Sequence, residues 1–382
     1  MIERGALALV ALLAGACAQV PATRPELVGY YASWAGQAAA GAERLSAIDF
    51  AFLALLPDGS VQVANPASDE AAIAGLREAK RRHPGLLLFG SVGGWTGSGN
   101  FSSMAHDPAS RARFIATSLE FLRREGFDGI DIDWEYPGAI GTGCPAGVTC
   151  ERPTDKEDFV ALAREMRAAL DAAGAVDGRA YRITIAAGVD SKYASNEAGP
   201  WLARLAASLD WVNLMTYDYH GTWERTANFV APLHRDPAAP TPESVDASVS
   251  LYLAEGIAPG KLVLGVPFYG KGWTGCAPGP RGDGLYQACA GLARPDHEAT
   301  FEFSYLEDQR HPGLVPAWNA FAAEATLFDP ATGTFVAYDD ERSMREKARY
   351  ARRRGLRGMM FWELTADRRG TLLRALADEL GR

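Results

Sequence analysis

The strongest constraint on this chain is the rhythm of its apolar residues. Eight short apolar runs, at 27–33, 48–55, 86–92, 129–134, 182–187, 211–215, 262–268 and 358–362, are separated by longer amphipathic stretches rich in Ala, Arg and Glu. The helix-like stretches fall at 69–82, 108–125, 156–173, 200–207, 242–255 and 340–354. Alternating strands and helices form a parallel sheet covered by helices, and eight such alternations predict an α/β fold closed as a (β/α)₈ TIM barrel. A doubly wound open sheet is the competing architecture, weakened by the lack of a Gly-rich phosphate loop after the first strand. The interval 274–337 breaks the rhythm. Pieces such as 300–305 and 334–336 are aromatic and strand-like, so a small α+β insertion is expected between strand seven and helix seven. The barrel is expected to span 24–382, with no linker, repeat or accessory module.

A chain of 382 residues with 48% hydrophobic and 22% charged residues can bury a large core without covalent staples. Its formal net charge of -9 and the lack of any basic block argue against nucleic acid or an anionic membrane surface as partner. A neutral ligand is compatible with that charge, and a monomer is expected.

Residues 1–18 read as an export signal. Arg4, partly offset by Glu3, precedes the apolar run 6–14, and the small residues Gly15-Ala16-Cys17-Ala18 follow. The run is too short to cross ~30 Å of hydrocarbon as a stable helix, so no transmembrane segment is expected. Cleavage after Ala16 or Ala18 would release a secreted protein, extracellular or periplasmic. Alternatively Cys17 is the lipid-bearing cysteine of a bacterial lipoprotein, although Ala14 stands where such signals usually carry leucine. Four further cysteines, Cys144, Cys150, Cys276 and Cys289, form two local pairs around Gly/Pro-bearing loops. Proximity suggests Cys144–Cys150 and Cys276–Cys289 disulfides in an oxidising compartment, one of three pairings that four cysteines allow. None is spaced C-x-x-C and no histidine pair lies close, so no metal is expected, and no cofactor.

The segment that carries chemistry is Phe127-Asp128-Gly129-Ile130-Asp131-Ile132-Asp133-Trp134-Glu135-Tyr136-Pro137. Side chains alternate along a strand, so Asp131, Asp133 and Glu135 share one face, and Ile130, Ile132 and Trp134 the other. In a barrel the apolar face packs on the helices and the acidic face points inward, toward the C-terminal rim. Three desolvated carboxylates in one row repel one another, so at least one proton is retained near neutral pH. A solvated strand edge is a poor account of the row, because its flanking residues are bulky and apolar. Asp128 has the opposite parity and reads as structural.

The pattern Asp128-x-x-Asp131-x-Asp133-x-Glu135 resembles the D-x-x-D-x-D-x-E signature of glycoside hydrolase family 18 chitinases. Further segments resemble that family in the right order: Ser91-Val92-Gly93-Gly94-Trp95, Met215-Thr216-Tyr217-Asp218-Tyr219-His220-Gly221, Gly265-Val266-Pro267-Phe268-Tyr269-Gly270 and Gly358-Met359-Met360-Phe361-Trp362-Glu363-Leu364. The resemblance implies hydrolysis of the β-1,4-N-acetylglucosamine linkages of chitin or chitooligosaccharides by a retaining, substrate-assisted mechanism. It implies Glu135 as acid/base, Asp133 orienting the substrate acetamido group, Asp131 holding Asp133, and Tyr217 donating a hydrogen bond to the acetamido oxygen. Sugar contacts are expected from Tyr30, Phe52, Gly93, Gly94, Trp95, Tyr136, Met215, Asp218, Trp223, Tyr269 and Trp362, with Trp362 as the floor. For an isolated aromatic, core packing is the commoner role, so motif context carries Trp362, Trp95 and Tyr217 further than Tyr30, Trp223 and Tyr269. Lys271 stands where many members carry arginine, and His220 reads as a structural hydrogen-bonding residue.

Other readings keep the barrel and change the role. A chitin-binding lectin would be expected to lack the acid at 135. An endo-β-N-acetylglucosaminidase acting on N-glycan cores would keep it. A dinucleotide or phosphate enzyme lacks its phosphate loop.

Overall fold

The computed structural model describes residues 24–36, 41–139, 141–194 and 200–382. The export signal and Cys17 lie outside the described residues. Eight parallel strands form the barrel: β1 (Glu26–Ala32), β2 (Ala47–Leu55), β3 (Leu87–Gly93), β4 (Gly129–Asp133), β5 (Arg182–Ala187), β6 (Trp211–Leu214), β7 (Leu262–Pro267) and β8 (Gly358–Trp362). Each pairs with its sequence neighbour, and β1 pairs with both β2 and β8, closing the sheet.

The helices Pro66–Arg82, Pro108–Glu125, Asp155–Asp177, Trp201–Ser208, Val245–Ala254, Glu341–Arg353 and Thr371–Leu380 follow or connect these strands. Their ends show local sequence logic. Pro108 opens its helix at a position that needs no N–H, the Asp107 side chain accepts from the Ser110 amide, and Gly126 closes it at φ 71°. The helix read as 156–173 continues through Gly174 to Asp177, because Gly174 packs against the Arg179 carbonyl, which a Cβ would meet at 2.4 Å. Between β1 and β2 the described residues hold two 3₁₀ turns, Ser33–Ala35 and Ala42–Arg44.

Strand parity divides the core in two. Val28, Tyr30, Ala47, Ala51, Phe89, Trp211, Val263 and Met360 fill the barrel interior. Ile130, Ile132 and Trp134 belong to the larger cluster between barrel and helices, as the alternation on β4 required. Trp134 stacks on Phe101 at 5.4 Å and meets Phe159 at 5.3 Å, both on covering helices. Burying an aromatic of this size removes roughly 150–250 Å² from water, worth on the order of 4–6 kcal/mol. The apolar side of β4 therefore fixes which way its acidic side points.

The insertion is an antiparallel sheet ordered Gly291–Leu292, Tyr269–Thr274, Thr334–Tyr338, Glu324–Asp329, Val315–Asn319, with Thr300–Glu302 also on Tyr269–Thr274. It begins at Tyr269 rather than at 274. The barrel strand stops at Pro267, and the Phe268 amide donates to the Trp362 carbonyl before the chain leaves the barrel. Strand-like character at 300–305 gives way to a short helix, Phe303–Gln309, because Phe303 and Leu306, three residues apart, both bury. Trp273, Phe328 and Phe335 anchor a third core there. The disulfides Cys144–Cys150 and Cys276–Cys289 join the proximity pairs, with Cα separations of 5.7 and 3.9 Å. Among the described residues no helix is long and apolar enough to cross a membrane.

Candidate active site

Parallel pairing places β4 between β3 and β5, with Asp131 level with Ser91 on one side and Thr184 on the other. Both neighbours donate to it: Ser91 Oγ to Oδ2 at 2.8 Å and Thr184 Oγ1 to Oδ1 at 2.7 Å. Tyr30 Oη from β1 also donates to Oδ2, at 2.8 Å. Burial pushes the Asp131 carboxyl up, and these donors oppose it. Asp133, two residues on, is equally enclosed, and its Oδ1 has no hydrogen-bond partner. Burial first, then the charges of Glu135, Asp131 and Asp49, hold it well above the ordinary carboxylate range. Glu135 sits past the strand end, half-buried at the rim. Burial raises it to about 7 against a hydrogen bond from Tyr136, with the Asp218 charge adding to the rise. The row is thus uneven, with a hydrogen-bonded carboxyl at its base and two carboxyls pushed up by burial above it, the last of them at the mouth. An acid near neutrality within reach of solvent can give a proton and take it back.

A fourth carboxylate lies beneath the row. Asp49 on β2 is fully buried and level with Tyr30; Asn213 Nδ2 from β6 donates to its Oδ2 at 3.2 Å. Burial, then the Asp131 charge, pushes it well up. Sequence reasoning missed it, although an Asp on the inward parity of an otherwise apolar strand was the available signal.

Tyr217 follows β6, its ring edge-on to Tyr269 at 6.4 Å and its hydroxyl 3.9 Å from Met360 Sδ. Burial and then the Asp133 charge raise it. Asp218 adopts φ 54°, a left-handed conformation that Asp tolerates better than most residues. Although its side chain reaches solvent, the surrounding protein raises its pKa, opposed by the Lys271 charge and a hydrogen bond from Tyr269. Lys271 also donates to Thr300 Oγ1 at 2.8 Å and lies 5.3 Å above the Tyr269 ring.

Trp362 closes β8 and forms the centre of an aromatic floor. Phe52 stacks beside it at 5.7 Å with an 18° interplanar angle, and Tyr30 and Trp34 lie at 5.6 and 6.2 Å. Trp34, 64% exposed on the turn after β1, was not anticipated, because an isolated aromatic in a loop carries no motif. Trp95 and Trp223 are also exposed, at 50% and 61%. Tyr136 is half-buried, 6.4 Å from Trp95 and 5.7 Å from the buried Tyr193. Met215 is half-buried against the inner cluster and Tyr269 is buried at the start of the insertion.

The reading of Tyr30 as a sugar contact needs correction. It sits mid-strand, is 1% exposed and has its hydroxyl committed to Asp131, so it supports the floor from below. Gly93 and Gly94 adopt φ 112° and 81°. A Cβ on Gly93 would lie 2.3 Å from the Asp133 carbonyl, and one on Gly94 2.5 Å from the Phe52 ring. Among the described residues three non-prolyl peptide bonds are cis, Ala51–Phe52, Glu135–Tyr136 and Trp362–Glu363. Asp128 pairs with Lys80 and Arg179 and accepts from the Leu88 amide, a staple below the barrel strands. His220 contacts Glu224 at 2.9 Å and Thr241 at 3.4 Å, away from the acidic row.

The family model for Glycosyl hydrolases family 18 matches residues 26–367. Chitinase A1 of Niallia circulans is 41% identical over 316 residues, covering 80% of this chain and 44% of that protein, so the chain spans less than half of that relative's length. Among solved structures, chitinase ChiA74 from Bacillus thuringiensis superposes with a TM-score of 0.85 at 33% identity, covering 94% of this chain and 70% of that one. A family 18 N-acetylglucosaminidase from Paenibacillus barengoltzii gives a TM-score of 0.80 at 33% identity, covering 93% and 99%. With that family's acidic motif lining the C-terminal mouth of a barrel matched along nearly its whole length, the chain belongs to glycosyl hydrolase family 18.

Proposed function

We propose that the protein is a chitinase that cleaves β-1,4-N-acetylglucosamine linkages with retention, using the substrate's own acetamido group as nucleophile. One observation carries this reading: Glu135 alone of the β4 carboxylates reaches the rim, with a pKa raised to about 7, while Asp133 stays enclosed behind it. A second carboxylate presented across the cleft as nucleophile is the usual retaining arrangement. Asp133 is instead in the same row as the acid, two residues before it, and not across the cleft from it.

In this mechanism protonated Glu135 gives its proton to the glycosidic oxygen as the bond to the anomeric carbon breaks. The acetamido carbonyl oxygen attacks that carbon from the other face and closes an oxazolinium ring. Asp133 accepts from the acetamido N–H and stabilises the positive charge that develops there, while Asp131, held by its three hydroxyl donors, fixes Asp133 and shares its proton. The Tyr217 hydroxyl donates to the acetamido oxygen. Glu135, now a carboxylate, takes a proton from water as that water opens the ring. Trp362 and Phe52 supply a flat apolar surface for the CH face of a pyranose, and Trp34 and Trp95 extend it along the cleft.

Products of chitohexaose cleavage, followed by NMR with the initial anomer resolved, test this. The first product is expected as the β-anomer; an α-anomer would overturn the mechanism. The resemblance to an N-acetylglucosaminidase favours a second reading, release of single sugars from a chain end. Monosaccharide as the sole initial product would establish it, whereas mixed dimers to tetramers support chitinase. An endo-β-N-acetylglucosaminidase would instead prefer a glycopeptide tested alongside. The signal at 1–18 supports export, with lipidation at Cys17 as the alternative, and the protein is proposed to act as a monomer.

A further inference from the structure

The loop that follows β4 does more than connect strand and helix. Its two ends are tied to one buried carboxylate: Asp155 Oδ2 accepts from the Gly138 amide at 3.1 Å and from the Arg152 amide at 2.9 Å, and Oδ1 from Ser102 Oγ at 2.7 Å. Between those ends the Cys144–Cys150 disulfide closes a tight ring. Farther along, Ser103 Oγ donates to the Thr149 carbonyl at 3.0 Å, fastening the ring to the helix Phe101–His106. Residues 141–152, cross-linked through Cys144–Cys150, fastened at Thr149 and pinned at Arg152, have little freedom of their own.

What this rigid loop touches is the segment after β3. Thr142 Oγ1 donates to the Trp95 carbonyl at 2.6 Å. A Cβ on Gly141 would lie 3.4 Å from the Trp95 ring and 2.7 Å from the Glu135 carbonyl, so no side chain fits between the two. Pro145 sits against Gly99 at similarly close range, with Cys150 Sγ behind it. Trp95, Glu135, Gly141, Thr142 and Cys150 together line a shallow depression beside the acid. Trp95 is half exposed, and a side chain so exposed ordinarily samples several rotamers that must be frozen when a ligand stacks on it. Here its backbone is bonded and its ring is flanked by Gly141 and Tyr136 before any ligand arrives.

We propose that Thr142 and the Cys144–Cys150 loop are positioning elements for Trp95, holding its indole ready to stack on a sugar unit beside Glu135. The proposal rests on the reading of Trp95 as a sugar contact. It predicts an effect on substrate affinity rather than on the bond-breaking step, because the Thr142 hydroxyl bonds the Trp95 carbonyl and not a carboxylate of the acidic row.

The test is a double-mutant cycle on chitohexaose hydrolysis with Trp95→Ala, Thr142→Val and the pair Cys144→Ser/Cys150→Ser. Thr142→Val is expected to raise KM by about three- to tenfold, the range that loss of one hydrogen bond spans, with kcat within twofold. The cysteine pair is expected to do the same or more, with the far-UV spectrum and melting of the barrel retained. In the Trp95→Ala background, both changes are expected to have no further effect, which a merely structural role would not produce. If Trp95→Ala leaves KM unchanged, the reading of Trp95 as a sugar contact is wrong. If Trp95→Ala raises KM but Thr142→Val and the cysteine pair do not, or if their effects multiply with its own, the positioning role is overturned while that reading stands.

Discussion

Glu135→Gln is expected to lower kcat on chitohexaose by at least about 10³-fold while changing the affinity for the oligomer less than threefold. General acid catalysis alone is typically worth ~10²–10⁴-fold, and in the proposed mechanism one carboxyl serves twice, as acid in ring closure and as base in ring opening. Gln keeps the shape and neutral state of the protonated acid, so binding survives, but its amide is far too weak an acid to protonate the leaving oxygen. The pH profile carries the same assignment. With a carboxyl at about 7, parent activity falls as pH rises through that value because the proton needed for the first step is lost. The residual activity of the variant should be flat across the same range. Stability moves the same way. The folded-state pKa is raised from 4.5, so the parent loses stability as pH climbs from that ordinary value to about 7. Raising a carboxyl that far costs on the order of 3 kcal/mol once it ionises. Glu135→Gln escapes this cost and should unfold at higher urea than the parent at pH 8, but not at pH 4. Turnover near the parent rate, or an unshifted alkaline limb, would remove Glu135 from the mechanism.

What could be read in the sequence follows a physical divide. The barrel was legible because each of its strands is a short apolar run, and the acidic row because a period of two is visible within seven residues, Gly129 to Glu135. Contacts made across strands leave no such trace. Tyr30 and Asp131 are 101 residues apart, and only the closure of the barrel makes one the donor to the other. Asp49 escaped notice for the same reason, since its significance lies in Asn213 and Asp131 from other strands. Trp34 entered the site through a turn with no periodicity to mark it. The insertion began earlier than expected because Tyr269-Gly270 reads as the end of a barrel strand, yet pairs antiparallel with Tyr338 and Glu302 of the added sheet. Helix Glu341–Arg353 shows a further limit. Its sequence is dense with charge and looks solvated, yet Lys347 within it is wholly buried.

That lysine leads to the second large effect. Lys347 Nζ pairs with Asp339, and both side chains are 0% exposed. Glu324, also fully buried, lies close enough that the same lysine charge lowers it, and accepts from the Val230 and Ala231 amides at 3.0 and 3.1 Å. Burial raises both carboxyls, Glu324 to about 8, and the Lys347 charge opposes that rise in each. One ammonium therefore serves two carboxylates where the insertion sheet meets the barrel helix. Lys347→Met keeps the volume and removes the charge, so it should destabilise the fold by about 3–5 kcal/mol at pH 8.5, as expected when a buried pair loses one partner. The deficit should shrink at pH 5. Without the ammonium both folded-state pKa values rise further, and a raised carboxyl destabilises progressively as pH climbs above its unfolded value. Adding Asp339→Asn to Lys347→Met should recover more than half of the loss, since a neutral amide needs no counter-ion. Urea unfolding at the two pH values measures all three. The strand beside this cluster, Thr334–Tyr338, pairs with the strand that carries Tyr269 and Lys271, the two groups that hold Asp218 at the cleft. Lys347→Met should therefore also raise KM, while Asp131 and Glu135, on the far barrel strand, keep kcat near its parent value. A deficit equal at both pH values, or no recovery in the double variant, would mean that Lys347 contributes by packing and not by charge.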